Sequence, residues 1–424
     1  MDVFALRDGL IEQYRAYVQG FVKVREPRTQ DFVDGYFSGG RLWPEPLVQL
    51  NPSFQPGRSV DELVQTGVLH RDCAQIFRRR EHPGDIGRPV RLHQHQDAAI
   101  AAAQTGESYV LTTGTGSGKS LAYFVPIVDH ILRAGAGKGI KAIVVYPMNA
   151  LCNSQAQALE QFLNWGFPGG VGPLRFNRYT GQERDEQRQA IIAQPPDILL
   201  TNFVMLELIL TRGDERALVD ACQGLEFVVL DELHTYRGRQ GADVAMLVRR
   251  LRERCGAPSM RCVGTSATLA GSVSREERQV EVARVASRLF GVTVPPPNVI
   301  GETLRRATQG DDPTPDALAA ALQPPVSYPN DYALLARQPL AMWAEQAFGL
   351  VRDAVGRYER REPRTLSAVA TALSELTGVP LERCVTHLRE LLLAGYRAGD
   401  PATGFPLFAF RLHQFVSRGD TVYA

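Results

Sequence analysis

The sequence predicts an α/β protein: a central parallel sheet with helices on both faces, flanked by mostly helical accessory domains. Two observations support this. Between about residues 85 and 300, short apolar runs alternate with stretches of helical periodicity, which is typical of parallel α/β sheets. A glycine-rich stretch, Thr113–Ser120, follows the first apolar run and precedes an amphipathic segment. That order is typical of a loop that binds nucleotide phosphates.

The predicted strands are apolar runs that end at turn or polar residues. We predict six strands, at Tyr109–Thr112, Ala142–Tyr146, Leu174–Tyr179, Asp197–Thr201, Phe227–Leu230 and Arg261–Gly264. Helices are predicted between them, including Leu121–Leu132, Gln155–Asn164 and Gln182–Ala193. These elements together predict one nucleotide-binding domain over residues 85–300.

The two flanks are predicted to be separate accessory regions. Residues 1–84 begin with an amphipathic helical pattern and continue through turn-rich sequence, which predicts a helical N-terminal domain. Residues 301–424 follow a proline-rich stretch and carry helical patterns, the first of them near 340–361. Neither flank offers a chemical motif of its own.

A pair of helices near the C-terminus has two open interpretations. Leu366–Leu376 and Leu381–Leu393 are joined by a short turn with the spacing of a helix-turn-helix. If Phe405–Phe410 and His413–Val416 form a wing hairpin, residues 366–424 are a winged helix. The alternative is an ordinary helical hairpin that packs on the main domain, because such turn residues are common.

The glycine-rich loop predicts a phosphate site. Its glycines allow backbone N–H groups to approach phosphate oxygens, and the helix that follows directs its positive end towards them. Lys119 is placed to reach the β- and γ-phosphates, and the Ser120 hydroxyl to ligate Mg²⁺. The predicted cofactor-binding residues of this loop are Thr113, Gly114, Thr115, Gly116, Ser117, Gly118, Lys119 and Ser120. An incidental Gly/Ser turn is disfavoured by the strand and helix on either side.

An acidic pair follows another predicted strand. Asp231 and Glu232 come directly after Phe227–Leu230, where ligands bind in open α/β sheets. In a phosphate-loop enzyme Asp231 would hold Mg²⁺ and Glu232 would polarise the attacking water. The catalytic residues are therefore predicted to be Lys119, Asp231 and Glu232, with Ser120 and Asp231 as metal ligands.

Composition excludes several classes of protein. The formal charge of +1 neither supports nor excludes a nucleic-acid partner. None of the six cysteines forms a C-x-x-C pair, which argues against a zinc site or a disulfide framework. The sequence has no signal-peptide pattern and no apolar run long enough to cross a bilayer. We therefore predict a cytoplasmic protein with no membrane partner.

These motifs, in this order, resemble the first motor domain of DEAD/DEAH-box, superfamily 2 helicases, which has a RecA-like fold. Thr113–Ser120 resembles motif I, Asp231–His234 motif II, and Ser266–Thr268 motif III. The region after Asp231 is similar to large bacterial helicases of the MrfA/YprA type. The resemblance implies ATP and Mg²⁺ as cofactors. It also assigns His234, Ser266 and Thr268 to coupling, and Gln96 to adenine recognition, unless Gln96 is only a solvated helix start.

Weaker motifs extend the resemblance to a nucleic-acid path. Tyr146–Leu151, Tyr179–Gly181 and Leu200–Asn202 resemble motifs Ia, Ib and Ic, which line one strand in the family. The implied contact residues are Pro147, Asn149, Thr180, Gly181, Thr201 and Asn202. The implied partner is DNA, as a single strand or a duplex.

The resemblance implies an ATP-dependent DNA helicase or translocase in DNA repair or anti-phage defence, with protein partners in such a complex. The alternative is a nucleotide-gated module that binds DNA or a partner without unwinding, and a phosphate-loop kinase is disfavoured by Ser266–Thr268. Superfamily 2 motors use a second RecA-like domain that supplies an arginine, and residues 300–424 show no such pattern. We therefore expect this chain alone to hydrolyse ATP slowly, and a C-terminal motor domain of a longer protein to complete it.

Overall fold

The computed structural model describes residues 2–20, 25–39, 42–114, 116–267, 274–401 and 403–416. The chain divides into two compact units: Phe54–Thr303, here called the sheet unit, and Met1–Ser53 with Leu304–Ala424, here called the helical unit. None of the helices in the described ranges is long and apolar enough to span a membrane.

This division differs from the predicted one in two respects. Residues 54–84 belong to the sheet unit and not to an N-terminal domain, and the two ends of the chain share one unit. The reason for the first difference is packing, because Val60, Leu63 and Ile76 are fully buried in the same core as the strands of the central sheet. The sequence shows their apolar character but not the surface that they cover.

The elements are numbered along the chain. The N-terminal segment contains α1 (Val3–Gln19), α2 (Pro27–Ser38), β1 (Leu47–Asn51) and β2 (Ser53–Phe54). The next elements are β3 (Pro56–Ser59), α3 (Val60–Gln65), α4 (Cys73–Ile76), β4 (Arg78–Arg79), β5 (Arg88–Pro89), β6 (Arg91–His93), α5 (Gln94–Gln104), β7 (Tyr109–Thr112), α6 (Leu121–Ala134), β8 (Ala142–Tyr146), α7 (Asn149–Leu163), β9 (Phe176–Tyr179), α8 (Asp185–Ala193), β10 (Ile198–Asn202), α9 (Phe203–Thr211), α10 (Arg216–Ala221), β11 (Phe227–Leu230), α11 (Gly238–Arg254), β12 (Arg261–Ser266), α12 (Arg275–Phe290) and β13 (Val299–Gly301). The C-terminal segment contains β14 (Leu304–Arg305), α13 (Pro315–Ala321), α14 (Tyr332–Leu335), α15 (Pro339–Phe348), β15 (Leu350–Arg352), β16 (Tyr358–Arg360), β17 (Arg364–Thr365), α16 (Leu366–Thr377), α17 (Leu381–Arg397) and β18 (Ala409–His413).

The sheet unit is built on a seven-stranded sheet of order β13-β7-β12-β11-β8-β10-β9. Every neighbouring pair in it is parallel. All six predicted strands are present, and the α/β fold with helices beside a parallel sheet is confirmed. The seventh strand, β13, was not predicted because three residues after a proline-rich stretch give no periodic signal.

Both faces of this sheet are covered. In β8, Ala142, Val144 and Tyr146 pack in one hydrophobic core. Ile143 and Val145 pack in a second core. Successive side chains of a strand point to opposite faces, so uninterrupted apolar strands are the expected pattern for a sheet buried on both sides. Parallel strands also bring their carboxyl ends to one edge, where the motif residues follow β7, β11 and β12.

The helical unit has its own core, formed mainly by α13, α15, α16 and α17. The predicted helix pair is present as α16 and α17. The predicted wing hairpin is wrong, because β18 pairs antiparallel with β1 in the sheet β17-β1-β18. The helix predicted near 340–361 ends at Phe348, and the β15–β16 hairpin follows it. Residues 417–424 of the possible winged helix lie outside the described residues, and that assignment stays a prediction.

Candidate functional site

The phosphate loop joins β7 to α6 in the sheet unit. Thr113 Oγ1 lies 2.7 Å from Ser117 Oγ, and both residues are fully buried, so a hydroxyl pair closes the base of the loop. Gly116 and Gly118 have φ values of 83° and 70°. These angles favour glycine over residues with a side chain. Thr115, which was also predicted to bind the cofactor, lies outside the described residues.

Two side chains in the first turn of α5 contact carbonyl oxygens of this loop. His95 Nε2 lies 2.9 Å from the Ser117 carbonyl oxygen, and Gln96 Nε2 donates to the Gly118 carbonyl oxygen at 2.7 Å. The other end of the Gln96 amide accepts from the His93 N–H at 2.7 Å. Gln96 is 2 % exposed, so both polar ends of its side chain are engaged in positioning the loop. Its role in adenine recognition stays a prediction.

Lys119 lies where the predicted motifs converge. Its ammonium nitrogen lies 3.5 Å from Glu232 Oε1 and donates to the Ser266 carbonyl oxygen at 3.3 Å. Lys119 and Glu232 follow β7 and β11, Ser266 ends β12, and these three strands are neighbours in the sheet. The structure therefore brings the lysine, the acidic pair and the first residue of the predicted motif III to one edge.

Asp231 is held by a residue that was not among the predicted site residues. Thr265 Oγ1 donates to Asp231 Oδ1 at 2.5 Å and accepts from the Glu232 N–H at 3.1 Å. Burial raises the pKa of Asp231, and the Glu232 charge raises it further, while the Thr265 hydrogen bond and Lys119 oppose this change. The result is a poorly solvated carboxylate that a cation would stabilise.

Glu232 has an unusual backbone and an unsatisfied oxygen. Its φ is 54°, the one positive φ of a non-glycine residue in the described ranges. Such conformations often mark functional sites. Its Oε2 atom is buried and accepts no hydrogen bond from the described residues, although His234 Nδ1 lies 3.2 Å away. His234 Nδ1 is also 3.5 Å from Ser266 Oγ. The coupling roles of His234 and Ser266 stay predictions, and Thr268 lies outside the described residues.

A groove with a volume of about 480 Å³ lies at the carboxyl ends of β8, β9 and β10. Its lining residues are Pro147, Met148, Asn149, Thr180, Gly181, Asn202, Phe203, Val204, Met205 and Leu208. Five of the six predicted nucleic-acid contacts are therefore among them. The sixth, Thr201, is fully buried and donates its hydroxyl to the Tyr179 carbonyl oxygen at 2.7 Å. This hydrogen bond gives Thr201 a structural role.

Asn202 connects two segments of the chain that line the groove. Its Nδ2 group donates to Asn149 Oδ1 at 2.8 Å and to the Thr180 carbonyl oxygen at 3.2 Å. Its Oδ1 caps α9 by accepting from the Met205 N–H at 2.8 Å. One asparagine therefore fixes the start of α9 against two neighbouring segments.

The turn at Thr180 and Gly181 is already paired. Their N–H groups donate to Glu183 Oε2 at 2.7 and 2.9 Å, and the Thr180 hydroxyl donates to Glu183 Oε1 at 2.9 Å. Burial opposes ionisation of Glu183, but these three donors and the Glu183 N–H together outweigh it and leave its pKa below the usual range. A phosphate would have to displace this carboxylate to use the same N–H groups.

Comparison with known protein families identifies the domain that contains this edge of the sheet. The model of the DEAD/DEAH box helicase family matches residues 93–276. This range contains the phosphate loop, the acidic pair and all of Ser266–Thr268. Residues 93–276 form a DEAD/DEAH box helicase domain.

Individual relatives match parts of this chain. The uncharacterized ATP-dependent helicase YprA of Bacillus subtilis is 33% identical over 183 residues, which are 42% of this chain and 23% of YprA. The Druantia protein DruE of Escherichia coli is 26% identical over an alignment of 345 residues, which covers 55% of this chain and 18% of DruE. The ATP-dependent helicase HRQ1 of Saccharomyces cerevisiae is 29% identical over 194 residues, or 16% of HRQ1. The chain thus spans less than a quarter of the length of these relatives.

Two solved helicase structures align with parts of this chain. The crystal structure of the DUF1998 helicase MrfA bound to DNA aligns with a TM-score of 0.45 and 18% identity, over 83% of this chain and 44% of MrfA. The Lhr helicase of Mycobacterium smegmatis bound to single-stranded DNA and AMP-PNP aligns with a TM-score of 0.41 and 25% identity. That alignment covers 53% of this chain and 28% of Lhr.

Three residues of the helicase domain were missed by the sequence analysis. Thr265 directly precedes Ser266 at the end of β12. Because successive side chains of a strand point to opposite faces, the sequence could have indicated that these two residues have different partners. His95 directly precedes Gln96, but its contact with Ser117 spans 22 residues and leaves no local signal. Glu183 follows Thr180 by three residues, a spacing that also occurs in capping motifs.

Proposed function

We propose that this chain is the ATP-binding part of an ATP-dependent helicase or translocase that acts on DNA. The observation that carries the proposal is the convergence of Lys119, Asp231 and Glu232 at one sheet edge. These are the residue types that phosphoryl transfer requires: a cation for the phosphates, a carboxylate for the metal, and a base for the attacking water.

The residues of the site fit a nucleotide and a magnesium ion. No cluster of three or more His, Cys, Asp or Glu side chains that could hold a metal occurs in the described part of the chain. This is compatible with Mg²⁺, which proteins commonly bind through one or two carboxylates together with substrate phosphates and waters. The desolvated Asp231 and the unsatisfied Glu232 Oε2 are the atoms that a cation and an ordered water would satisfy. Bound Mg²⁺ would supply charge stabilisation at the phosphate oxygens.

Each residue then has a defined task. Lys119 and the loop N–H groups bind the phosphates, while Ser120 and Asp231 provide oxygen ligands for the metal. Thr265 fixes both the Asp231 side chain and the Glu232 backbone, so that the two carboxylates keep separate directions. Glu232 orients the attacking water and accepts its proton.

The groove is proposed to hold one strand of the nucleic acid. It lies beside the first turns of α7 and α9, whose leading N–H groups have no intrahelical acceptors and favour phosphate. Asn149 and Asn202 add neutral polar groups at the same place. Thr180 and Gly181 contribute once Glu183 is displaced.

The wider biological role stays a prediction from the resemblance. It includes a part in DNA repair or anti-phage defence, protein partners in such a complex, a cytoplasmic location, and completion of the ATP site by an arginine of a second motor domain. The similarity to YprA, HRQ1 and DruE supports looking for these roles first.

A direct test compares substrates. ATP turnover by the full chain would be measured with single-stranded DNA and, separately, with small phosphate acceptors. Stimulation by DNA that is lost in Lys119→Ala supports a helicase or translocase. Transfer of phosphate to a small acceptor, with no response to DNA, would support a kinase instead.

A further inference from the structure

The groove is lined by residues of two chemical kinds. Four of them are polar or present backbone groups: Asn149, Thr180, Gly181 and Asn202. Six are apolar: Pro147, Met148, Phe203, Val204, Met205 and Leu208. None of these ten lining residues carries a charge, although the proposed ligand is a polyanion.

Two of the apolar lining residues are strongly exposed. Met148 is 57% exposed and Val204 is 52% exposed, so neither belongs to a core of the sheet unit. Met148 is the N-cap of α7, and Val204 is the second residue of α9. Single exposed apolar side chains are common on proteins. Two of them at one groove, each beside a helix start that favours phosphate, are a more specific arrangement.

A single strand of nucleic acid offers partners for both kinds of lining residue. It carries phosphates and, beside them, unpaired bases with flat apolar faces. A duplex hides those faces in its own stack. Contacts with base faces tolerate any sequence, since every base has such a face.

We propose that Met148 and Val204 pack against nucleobases of a single strand whose phosphates face the starts of α7 and α9. This inference rests on the proposed function and adds the part of the ligand that the groove recognises. It also predicts an unusual salt response. Because Met148 and Val204 are neutral, their contribution to affinity should not depend on salt, whereas each lost cation–phosphate contact lowers the salt slope by about 1.

The experiment measures binding of a fluorescent single-stranded oligonucleotide of about 12 nucleotides to the full chain. A second oligonucleotide has the same backbone with abasic sites in place of the bases. The variants are Met148→Gln and Val204→Thr, which keep approximate size and remove apolar character. Met246→Ala is the control, because Met246 is 61% exposed on α11 of the same unit.

We expect each groove variant to bind the normal strand about three- to tenfold more weakly, with an unchanged salt slope. The abasic strand loses both contacts, so it should bind the original chain more weakly by about the product of the two single-variant factors. Each groove variant should distinguish the two strands less than the original chain does. Met246→Ala should behave like the original chain.

The outcomes separate this inference from the proposed function. If the original chain binds the normal strand and both groove variants bind it equally well, the inference is wrong and the proposed function stands. The same conclusion follows if the original chain does not distinguish normal from abasic strands. If the original chain binds neither strand at any salt concentration, both the inference and the proposed function are wrong.

Discussion

The two halves of one edge of the central sheet differ in the charge and the burial of their side chains. The half formed by β7, β12 and β11 holds charged groups that are largely buried and contact one another, such as Lys119 with Glu232 at 3.5 Å. The half formed by β8, β10 and β9 borders a groove with no charged lining residue and two exposed apolar side chains. Phosphate chemistry needs charges fixed in a poorly solvated site. A strand of nucleic acid that is bound and released repeatedly is better held by many weak contacts with neutral groups.

The largest effect is expected at the charged half. Lys119→Ala should reduce ATP affinity and turnover by about 10²-fold or more, because it removes the cation that the phosphates require. Nucleotide binding by fluorescence and steady-state turnover measure this. Lys119→Arg is the matched control, since it keeps the charge but not the compact ammonium, and it should recover little activity. Unchanged ATP binding in Lys119→Ala would remove the charged half from the proposed mechanism.

Glu232→Gln separates chemistry from binding within the charged half. We expect turnover to fall by about 10²–10⁴-fold, the usual contribution of a general base, while ATP binding is kept. Turnover and binding would be measured on the same preparation, with exposed Glu253→Gln as the control. If the variant keeps every DNA-dependent activity of the full protein, the chain is a nucleotide-gated binding module and hydrolysis is not its purpose.

Asp231→Asn should stabilise the protein while it impairs metal-dependent nucleotide binding. Burial raises the pKa of Asp231, so above the ordinary value of 3.8 its charge costs folding free energy, and this cost disappears as the pH falls below that value. Thermal unfolding at pH 7 should therefore show a higher Tm, by about 2–4 °C for each kcal/mol recovered. The gain should vanish at low pH. A lower Tm at pH 7 would show that the Asp231 carboxylate is already well compensated by Thr265 and Lys119.

The smallest effect is expected at the groove. Glu183→Gln removes a negative charge beside Thr180 and Gly181. It also weakens the hydrogen bonds that their N–H groups donate to residue 183. Affinity for single-stranded DNA should rise about two- to fivefold at low salt, and the gain should shrink as salt screens the charge. Glu186→Gln, which removes the same charge from an exposed position on α8, is the control. Equal gains in both variants would mean that only net charge matters there.

The same contrast explains what could be predicted from the sequence. Phosphate binding restricts residue types at fixed spacing, so Lys119, Asp231 and Glu232 were identifiable and the structure brings them together. The groove depends on backbone N–H groups and shape, which leave weak patterns, and Thr201 was accordingly assigned a ligand role although it is fully buried.

Long-range pairing accounts for what was missed. The contact of His95 with Ser117, and the pairing of β18 with β1 in place of a wing, depend on where distant segments meet. The local periodicity of a sequence does not indicate which distant segments will contact each other. The six strands of the central sheet were predictable for the opposite reason, because each is defined by its own short apolar run.

The contact between Lys119 and Glu232 has a consequence for the order of events. A bound phosphate group would compete with Glu232 for the same ammonium, so the arrival of a nucleotide and the release of the carboxylate would be a single exchange of partners. Glu232, the proposed proton acceptor, would then become available only after the nucleotide has entered, which would link the timing of water activation to occupancy of the loop.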